Sequence, residues 1–284
     1  MTPRRSSEFI FYRRGQVLIV TFWMIALVSV ATGVLMMRAT HEARLSRIPL
    51  EVVQREAIVQ AAVQQAIALL QRDEDLAVDH LGESWATGEE GGQPVLEHIA
   101  VGPGIFTAGL IDEERKINLR HASTGVLARL IGLVGPPETD PQELAEAIRD
   151  WRTADEPEIG VCAEPQRCHN GLFDSVDELR LVPGMTPELF DALVPYVTVY
   201  GGPASNVNTA DPLVLRAWDI PEEQVGKIVT QRQSPPFTTS YPGLSAQSTA
   251  FTVMVEAWIP TLSLRTRLHA VIDRDGNILA WLPQ

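Results

Sequence analysis

The sequence predicts an α+β fold, with a long N-terminal helix, a small antiparallel sheet, and a large all-helical domain inserted into the sheet domain. Three observations support this fold class. An uncharged apolar segment lies near the start of the sequence, and segments with strand-like alternation occur both early and late in it. The residues between those segments carry helical periodicity, so strands flank a helical block.

Composition is that of a folded protein with an acidic surplus. The 284 residues are 45% hydrophobic and 21% charged, with a formal net charge of −13. Seven arginines fall within the first 47 residues, so most of the acidic surplus lies downstream of them. An acidic domain repels phosphate backbones, which argues against nucleic acid as the main partner and is compatible with cations.

The apolar segment covers residues 16–37, which contain no charged side chain. At 1.5 Å per residue it spans about 33 Å, enough to cross a hydrocarbon core of about 30 Å. A cleaved secretory signal fits less well than an anchor, because its apolar region is about 7–15 residues and ends at a small-x-small site. The basic residues that precede the segment favour a cytoplasmic N-terminus, although later arginines weaken the contrast.

The next element is a long amphipathic helix, expected from His41 to about Arg72. Its apolar side chains recur at steps of three and four, with glutamines between them. They are Val59, Val63, Ala66, Ile67 and Leu70. Pro49 is expected to bend this helix or break it locally.

Strands are expected on both sides of the helical block. After a glycine-rich acidic loop at residues 82–94, residues 96–119 alternate like short strands, with breakers at Gly102-Pro103-Gly104 and Glu113-Glu114. The late strands are expected at residues 251–259, 262–273 and 277–282. Arg274-Asp275-Gly276-Asn277 supplies the turn of the last hairpin.

The helical block contains a weak internal repeat. Residues 118–130 align with residues 206–218 at a constant offset of 88, and each copy has a capped start before a leucine-rich helix. The matched pairs are Asn118/Asn206, Ala122/Ala210, Val126/Val214 and Leu127/Leu215. Between the copies, residues 143–152 predict a helix. Residues 175–197 predict two helices around Pro183-Gly184, the second capped by Thr186.

The order of these segments resembles a known family. The segments KINLRHAS, AIRDWRTADE, FDSVDELRLVPGMTPELFDALVPYVTVYGG and SNVNTADPLVLRAW precede the strand tail, and Arg13-Arg14-Gly15 precedes the apolar helix. Together they resemble the K family of minor pseudopilins (GspK) of type II secretion systems, from about residue 13 to 282.

The resemblance implies a pseudopilin fold with defined segments. The inserted domain would be of the helix-hairpin-helix or SAM-like type. The implied segments are a leader at 1–15, a transmembrane helix at 16–37, a periplasmic amphipathic helix at 38–81, a pseudopilin α+β domain at 82–119 and 241–284, and the inserted helical domain at 120–240.

It also implies how the chain is processed and where it acts. A prepilin peptidase would cut after Gly15, leaving Gln16 as a methylated mature N-terminus in a single-pass inner-membrane protein with a periplasmic ectodomain. Val20 stands at the fifth mature position, where most pseudopilins carry a glutamate that pairs with a neighbour's terminal amine. The absence of this glutamate fits a position at the tip of the pseudopilus, with GspI and GspJ beneath it. The implied role is non-enzymatic initiation and capping, with the secretin or exported proteins as further contacts.

The family resemblance further implies calcium in the helical domain near an acidic loop. The expected ligands are Asp150, Asp155 and Glu156, because hard cations take several carboxylate oxygens. Glu158 and Glu164 are second-choice candidates. Pro157 departs from the usual acidic run.

The two cysteines leave three alternatives open. Cys162 and Cys168 would close a short loop as a disulfide in an oxidising periplasm, or they remain free thiols. A zinc site that adds His169 lacks a fourth ligand and a standard spacing.

A membrane-anchored DNA-binding protein of the helix-hairpin-helix type is the rival function. The LRLVPGMTPELFDAL segment resembles such a unit, whose turn offers backbone N–H groups to a phosphate. Here the turn is flanked by acidic residues, and the chain has two lysines, so electrostatics favours a protein partner. The flanking acids are Asp177, Glu178, Glu188 and Asp191.

The sequence contains no P-loop, H-E-x-x-H or G-x-S-x-G motif, which argues against an enzyme.

Overall fold

The computed structural model describes residues 9–73, 75–86, 94–153, 171–239 and 241–283, with only the backbone described for 9–16, 40–50 and 283. The chain divides into two compact units, Met1–Glu56 and Ala57–Gln284. The described helices are α1 (Phe9–Leu70), α2 (Thr124–Val134), α3 (Pro141–Arg152), α4 (Pro187–Leu193), α5 (Pro212–Ala217) and α6 (Glu222–Gln231). The strands are β1 (Pro94–Val101), β2 (Gly104–Asp112), β3 (Ile117–Asn118), β4 (Val197–Thr198), β5 (Ala250–Ile259), β6 (Leu264–Asp273) and β7 (Ile278–Pro283).

The first unit is helical and contains the apolar segment. Val17–Ala39, 23 residues of α1, is long and apolar enough to cross a membrane, and its side chains are exposed. The hydroxyls of Thr21 and Thr32 donate to helix carbonyls one turn back, so they remain hydrogen-bonded in an apolar surrounding. The helix continues through Pro49, so the expected local break is absent. A proline removes one bond of the helical ladder, and the bonds on either side maintain the helix here.

The second unit contains a five-stranded antiparallel sheet in the order β1-β2-β5-β6-β7. Alternate residues of β2, β5 and β6 point to one face, where they form a core with the part of α1 from Ile58 to Leu70. Trp85 packs edge-on against Phe251 in this core, with ring centroids 5.1 Å apart. The late strands lie within three residues of their predicted positions, and the turn before β7 contains Gly276 at φ 88°.

A helical module, residues 113–249, is inserted between β2 and β5. Asp112 pairs with Phe251 across these neighbouring antiparallel strands, so the chain leaves the sheet and returns to it at adjacent positions. The module has its own apolar core, built from α2 to α6 and the short parallel pair β3–β4. Ser123, Asp140, Thr186 and Asp211 cap α2, α3, α4 and α5 by accepting backbone N–H bonds.

Hydrogen bonding reproduces the internal repeat at an offset of 88 residues. Asn118 Oδ1 accepts the N–H of Arg120, and Asn206 Oδ1 accepts the N–H of Asn208, both at 2.9 Å. In each copy the asparagine carbonyl also accepts the N–H four residues on, at 2.9 and 2.8 Å. The same turn therefore precedes α2 in one copy and α5 in the other, and the module contains two related helical hairpins.

Candidate functional site

The most unusual feature of the second unit lies where the helical module joins the sheet. Asp112, Glu113 and Glu114 are all buried there, and we call these three residues the acidic junction. Carboxylates are rarely buried without partners, because desolvation penalises the charged form. The sequence predicted Glu113-Glu114 only as a strand breaker, so their burial was missed. Asp112 Oδ1 caps the turn after β2 by accepting the N–H of Glu114 at 2.8 Å.

Asp112, the last residue of β2, is held by hydrogen bonds from three residues of the module. Its Oδ2 accepts the Thr209 hydroxyl at 2.5 Å and the Ser248 hydroxyl at 2.7 Å. Asn206 Nδ2 donates to the same oxygen at 3.3 Å. Burial, together with the neighbouring Glu114 carboxylate, raises the pKa of Asp112 to about 7.

Glu113 is paired with a cation. Burial pushes its pKa up, but Lys116 and two hydroxyl groups outweigh burial and hold the pKa of Glu113 below its usual value. Lys116 Nζ lies 3.0 Å from Oε1, while the hydroxyls of Thr198 and Thr252 donate at 2.5 and 2.6 Å. Glu113 therefore joins β4 of the module to β5 of the sheet.

Glu114 accepts bonds chiefly from the backbone. Its Oε1 accepts the N–H groups of Gly202 at 3.0 Å and Thr249 at 2.8 Å, and Oε2 accepts the N–H of Ala250 at 3.2 Å. Gly201 passes directly over this carboxylate at φ 80°, and a Cβ there would lie 2.5 Å from Glu114 Cδ. Glycine is therefore required at 201, both for the positive φ and for the close approach.

A fourth buried carboxylate, Asp79, extends the network to the turn before β7. Asp79 Oδ2 accepts the N–H of Ser248 at 2.7 Å, and the Arg274 guanidinium donates to Asp79 Oδ1. Arg274 also donates to Asp73 Oδ2 at 3.1 Å. Oxygens of Asp73, Asp79 and Glu83 lie within 4.8 Å of one another. Arg274 already supplies positive charge to two of them, so we interpret this cluster as an ion-pair network.

The arrangement acts as a structural joint. The carboxylate oxygens of the acidic junction face donors of the protein itself, drawn from the module on one side and from β5 and its approach on the other. Buried and saturated carboxylates of this kind fix relative position, because moving either partner would leave a desolvated charge unpaired. The module is thereby held firmly against the sheet.

The structure places the predicted site residues as follows. Val20 is exposed on the apolar part of α1, and Gly15 and Gln16 lie in the same helix, where only the backbone is described. Asp150 is exposed near the end of α3, and its Oδ1 accepts Arg149 Nη2 at 2.8 Å. The other predicted residues, Asp155, Glu156, Glu158, Glu164, Cys162 and Cys168, lie outside the described residues. One ion-paired carboxylate does not make a six-to-eight-oxygen calcium site, so the calcium site stays a prediction. The disulfide also stays a prediction, because both cysteines lie outside the described residues.

The basic side chain beside the turn that suggested DNA binding is paired with acidic residues. This side chain is Arg180, whose Nε lies 3.6 Å from Asp177 Oδ1 and whose Nη2 lies 3.8 Å from Asp191 Oδ1. Its guanidinium carbon also lies 3.6 Å from the centroid of the Phe190 ring. The basic side chain at this turn is thus engaged by acids of the module and by an aromatic ring, which disfavours a phosphate contact.

Comparison with known proteins places these features in a family. Residues 109–203 match the family described as type II secretion system (T2SS), protein K, and this range includes the acidic junction and the first repeat copy. The protein K of Pseudomonas aeruginosa is 30% identical over 248 residues, covering 78% of this chain and 73% of that protein. The protein K of Klebsiella pneumoniae is 26% identical over 229 residues, covering 70% and 67%.

A solved structure shares the fold. A chain of the GspK–GspI–GspJ complex from enterotoxigenic Escherichia coli superimposes with a TM-score of 0.65 at 18% identity, covering 84% of this chain and 99% of that one. The matches in sequence and fold extend well beyond the apolar helix, which many anchored proteins share. The chain belongs to the type II secretion system protein K family and is a minor pseudopilin, and one helix of its described residues is long and apolar enough for membrane anchoring.

Proposed function

We propose that this subunit occupies the tip of the pseudopilus, above GspI and GspJ, where it helps to initiate the fibre and caps it during protein export across the outer membrane. The observation that carries the proposal is the helical module, residues 113–249, fixed to the pseudopilin sheet by the acidic junction. Pseudopilins assemble by packing their apolar helices side by side. A rigidly held module of this size leaves little room for another head above it.

Partnership with GspI and GspJ is supported by the structural relative. That crystal structure contains GspK together with both proteins, and we extend the same partnership to this chain. Contact with the secretin or with exported proteins would use the exposed surface of the module. The acidic surplus of the chain and the pairing of Arg180 with Asp177 favour this protein-binding role over DNA binding.

The apolar helix supports an inner-membrane origin with a periplasmic second unit. Basic residues precede the span, and we propose cleavage by the prepilin peptidase after Gly15, so that the span is retained from Gln16. Val20 then stands where a glutamate would pair with the amine of a subunit above. A tip subunit has no such neighbour, and an unpaired carboxylate in the bilayer would cost several kcal/mol.

Mass spectrometry of the chain, from cells with and without the prepilin peptidase, tests the processing. We expect a mature chain that starts at Gln16 only when the peptidase is present. A chain that keeps Met1 or Thr2 in wild-type cells would contradict the pseudopilin processing.

Labelling of assembled fibres tests the position. Gold-conjugated antibody against residues 113–249 should decorate one end of each pseudopilus. Decoration along the length of the fibre would exclude a capping role.

A further inference from the structure

Residues 75–86, which we call the strap, follow α1 and touch both the module and the sheet. The N–H of Asp79 donates to the carbonyl of Ala246, in the module, at 2.8 Å. At the other end of the strap, Trp85 is buried in the sheet core, where it packs against Phe251. The strap therefore closes over the place where the module meets the sheet.

Three carboxylates meet beside the strap with too little positive charge to balance them. Oxygens of Asp73, Asp79 and Glu83 lie within 4.8 Å of one another, and these side chains are only 7%, 0% and 12% exposed. Among the residues that the structure describes, Arg274 is the only lysine or arginine that forms an ion pair with them. Like charges this close repel strongly where water is largely excluded, so one of the three carboxyl groups keeps its proton.

His80 does not supply the missing positive charge. Its Nε2 lies 3.5 Å from Glu83 Oε1, but its Nδ1 accepts the N–H of Gly82 at 3.1 Å. A ring nitrogen that accepts a hydrogen bond carries no proton, so the imidazole is neutral and its one proton is on Nε2. Burial also lowers the pKa of His80, against the opposing effect of Asp73 and Asp75.

Glu83 is the carboxyl group that keeps its proton. Arg274 is bonded to the other two carboxylates, whereas Glu83 Oε2 accepts only the neutral indole N–H of Trp85 among side-chain donors of the described residues. The pKa of Glu83 is raised to about 7, chiefly by burial, with Asp73 and Asp75 adding to the rise and the Trp85 hydrogen bond opposing it.

We propose that the strap is a pH-sensitive closure of the joint between the module and the sheet, controlled by the proton on Glu83. While the proton is present, two carboxylates share one guanidinium and Trp85 stays in the core. Loss of the proton to solvent leaves three carboxylates beside one cation. The strap then opens more often, because opening lets the Glu83 carboxylate reach water. The inference requires no partner subunit, so it does not depend on the position of the chain in the pseudopilus.

Hydrogen exchange of the full chain in detergent, measured by mass spectrometry, tests the closure. The reporters are strap amides that are bonded in the closed state, such as Asp79 N–H and Ala86 N–H, which donates to the Glu83 carbonyl at 3.1 Å. The exchange rates are corrected for their intrinsic pH dependence, under conditions where the strap closes faster than its amides exchange.

The opening constant of the strap should rise about tenfold between pH 6 and pH 8. The Glu83 carboxyl has a pKa of 4.5 without its surroundings and about 7 in the closed strap, so the closed state binds more protons in this range. Closure is therefore strongest below pH 4.5 and weakens as the pH rises, and the opening constant levels off above pH 7.

Three variants assign the effect to Glu83. Glu83→Gln keeps an acceptor for the Trp85 indole but cannot ionise, so it should remove the rise. Glu97→Gln removes an exposed carboxylate of β1 and should leave the rise as it is in the wild type. Trp85→Phe removes a hydrogen bond that lowers the pKa of Glu83, so its opening constant should level off at a higher pH than that of the wild type. Thermal denaturation of each variant checks that its fold is retained.

Amides of β5, Ala250–Ile259, provide the reference for unfolding of the whole sheet. Strap amides should show a larger opening constant than β5 amides at pH 8, since the strap opens while the sheet stays intact. Equal opening constants in the two segments would mean that the strap opens only when the protein unfolds, and would overturn the proposal. A wild-type opening constant that is unchanged between pH 6 and pH 8, or a rise that persists in Glu83→Gln, would do the same.

Discussion

Arg152 and Arg232 perform the same task in the two repeat copies of the helical module. Arg152 donates to the carbonyls of Leu119 and Ala122 at 2.6 and 2.5 Å. Arg232 donates to the carbonyls of Val207 and Ala210 at 3.3 and 2.7 Å. These two residues lie 88 positions after Leu119 and Ala122. Burial lowers the pKa of both guanidinium groups. Each arginine therefore fastens the second helix of its hairpin to the turn before the first.

We predict that Arg152→Met and Arg232→Met each lower the free energy of unfolding by about 2 kcal/mol, because each leaves two backbone carbonyls without their charged donor. Urea denaturation of the full chain in detergent, followed by tryptophan fluorescence, measures the change. Arg149→Met is the matched control on α3, since Arg149 is exposed and bonds to Asp150, and it should leave the free energy of unfolding nearly unchanged. If Arg149→Met and Arg152→Met lowered the free energy of unfolding equally, the stabilising role of the buried Arg152 would be contradicted.

We predict that stability falls as the pH rises from 6 to 8, through the titration of Asp112. The pKa of this carboxyl is about 7 in the folded protein and near 3.8 when unfolded, so in this window the folded state binds more protons. Its contribution is complete below the unfolded pKa and is lost as the pH passes 7, by roughly 1 kcal/mol between pH 6 and 8. Asp112→Asn, which resembles the neutral acid, should reduce that decline by this amount in urea titrations at the two pH values. An unchanged decline would show that other groups cause it.

We predict that Gly201→Ala destabilises the protein by at least about 2 kcal/mol, because the new Cβ would meet the Glu114 carboxylate in a strained backbone conformation. Gly226→Ala is the control. It lies in α6, where a Cβ would have no neighbouring atom within 4 Å, so the change should be neutral or stabilising by up to about 1 kcal/mol. Melting temperatures of the two variants should move in opposite directions or differ by several degrees.

Calcium binding near the predicted acidic loop gives a further prediction. If Asp150, Asp155 and Glu156 hold a structural ion, chelation with EDTA should lower the melting temperature, and added calcium should restore it. Asp150→Asn should reduce the difference. A melting temperature that is the same with EDTA and with calcium would count against a structural site.

The elements that could be predicted from sequence are those with local signals. The hairpin of β6 and β7 follows from alternation and a glycine turn, and α4 begins where Thr186 and Pro187 indicate. The repeat is visible in the sequence because its turn uses the same residue types in both copies.

The acidic junction could not be predicted in the same way. A glutamate pair after a strand normally marks an exposed end, and only distant partners reverse that interpretation. Thr198 lies 85 residues from Glu113, and Thr249 lies 135 residues from Glu114. Long-range pairing of this kind leaves no local pattern.

The pairing of Asp112 with Phe251 has a consequence for how such a subunit could arise. Neighbouring antiparallel strands normally need a connection of a few residues, and here the connection has been enlarged into a folded domain without disturbing the pairing on either side. Since both ends of the insert lie side by side, its size is free of any constraint from the sheet. An ordinary pseudopilin could thus acquire a helical module through a single enlargement of one loop, with its sheet left as it was.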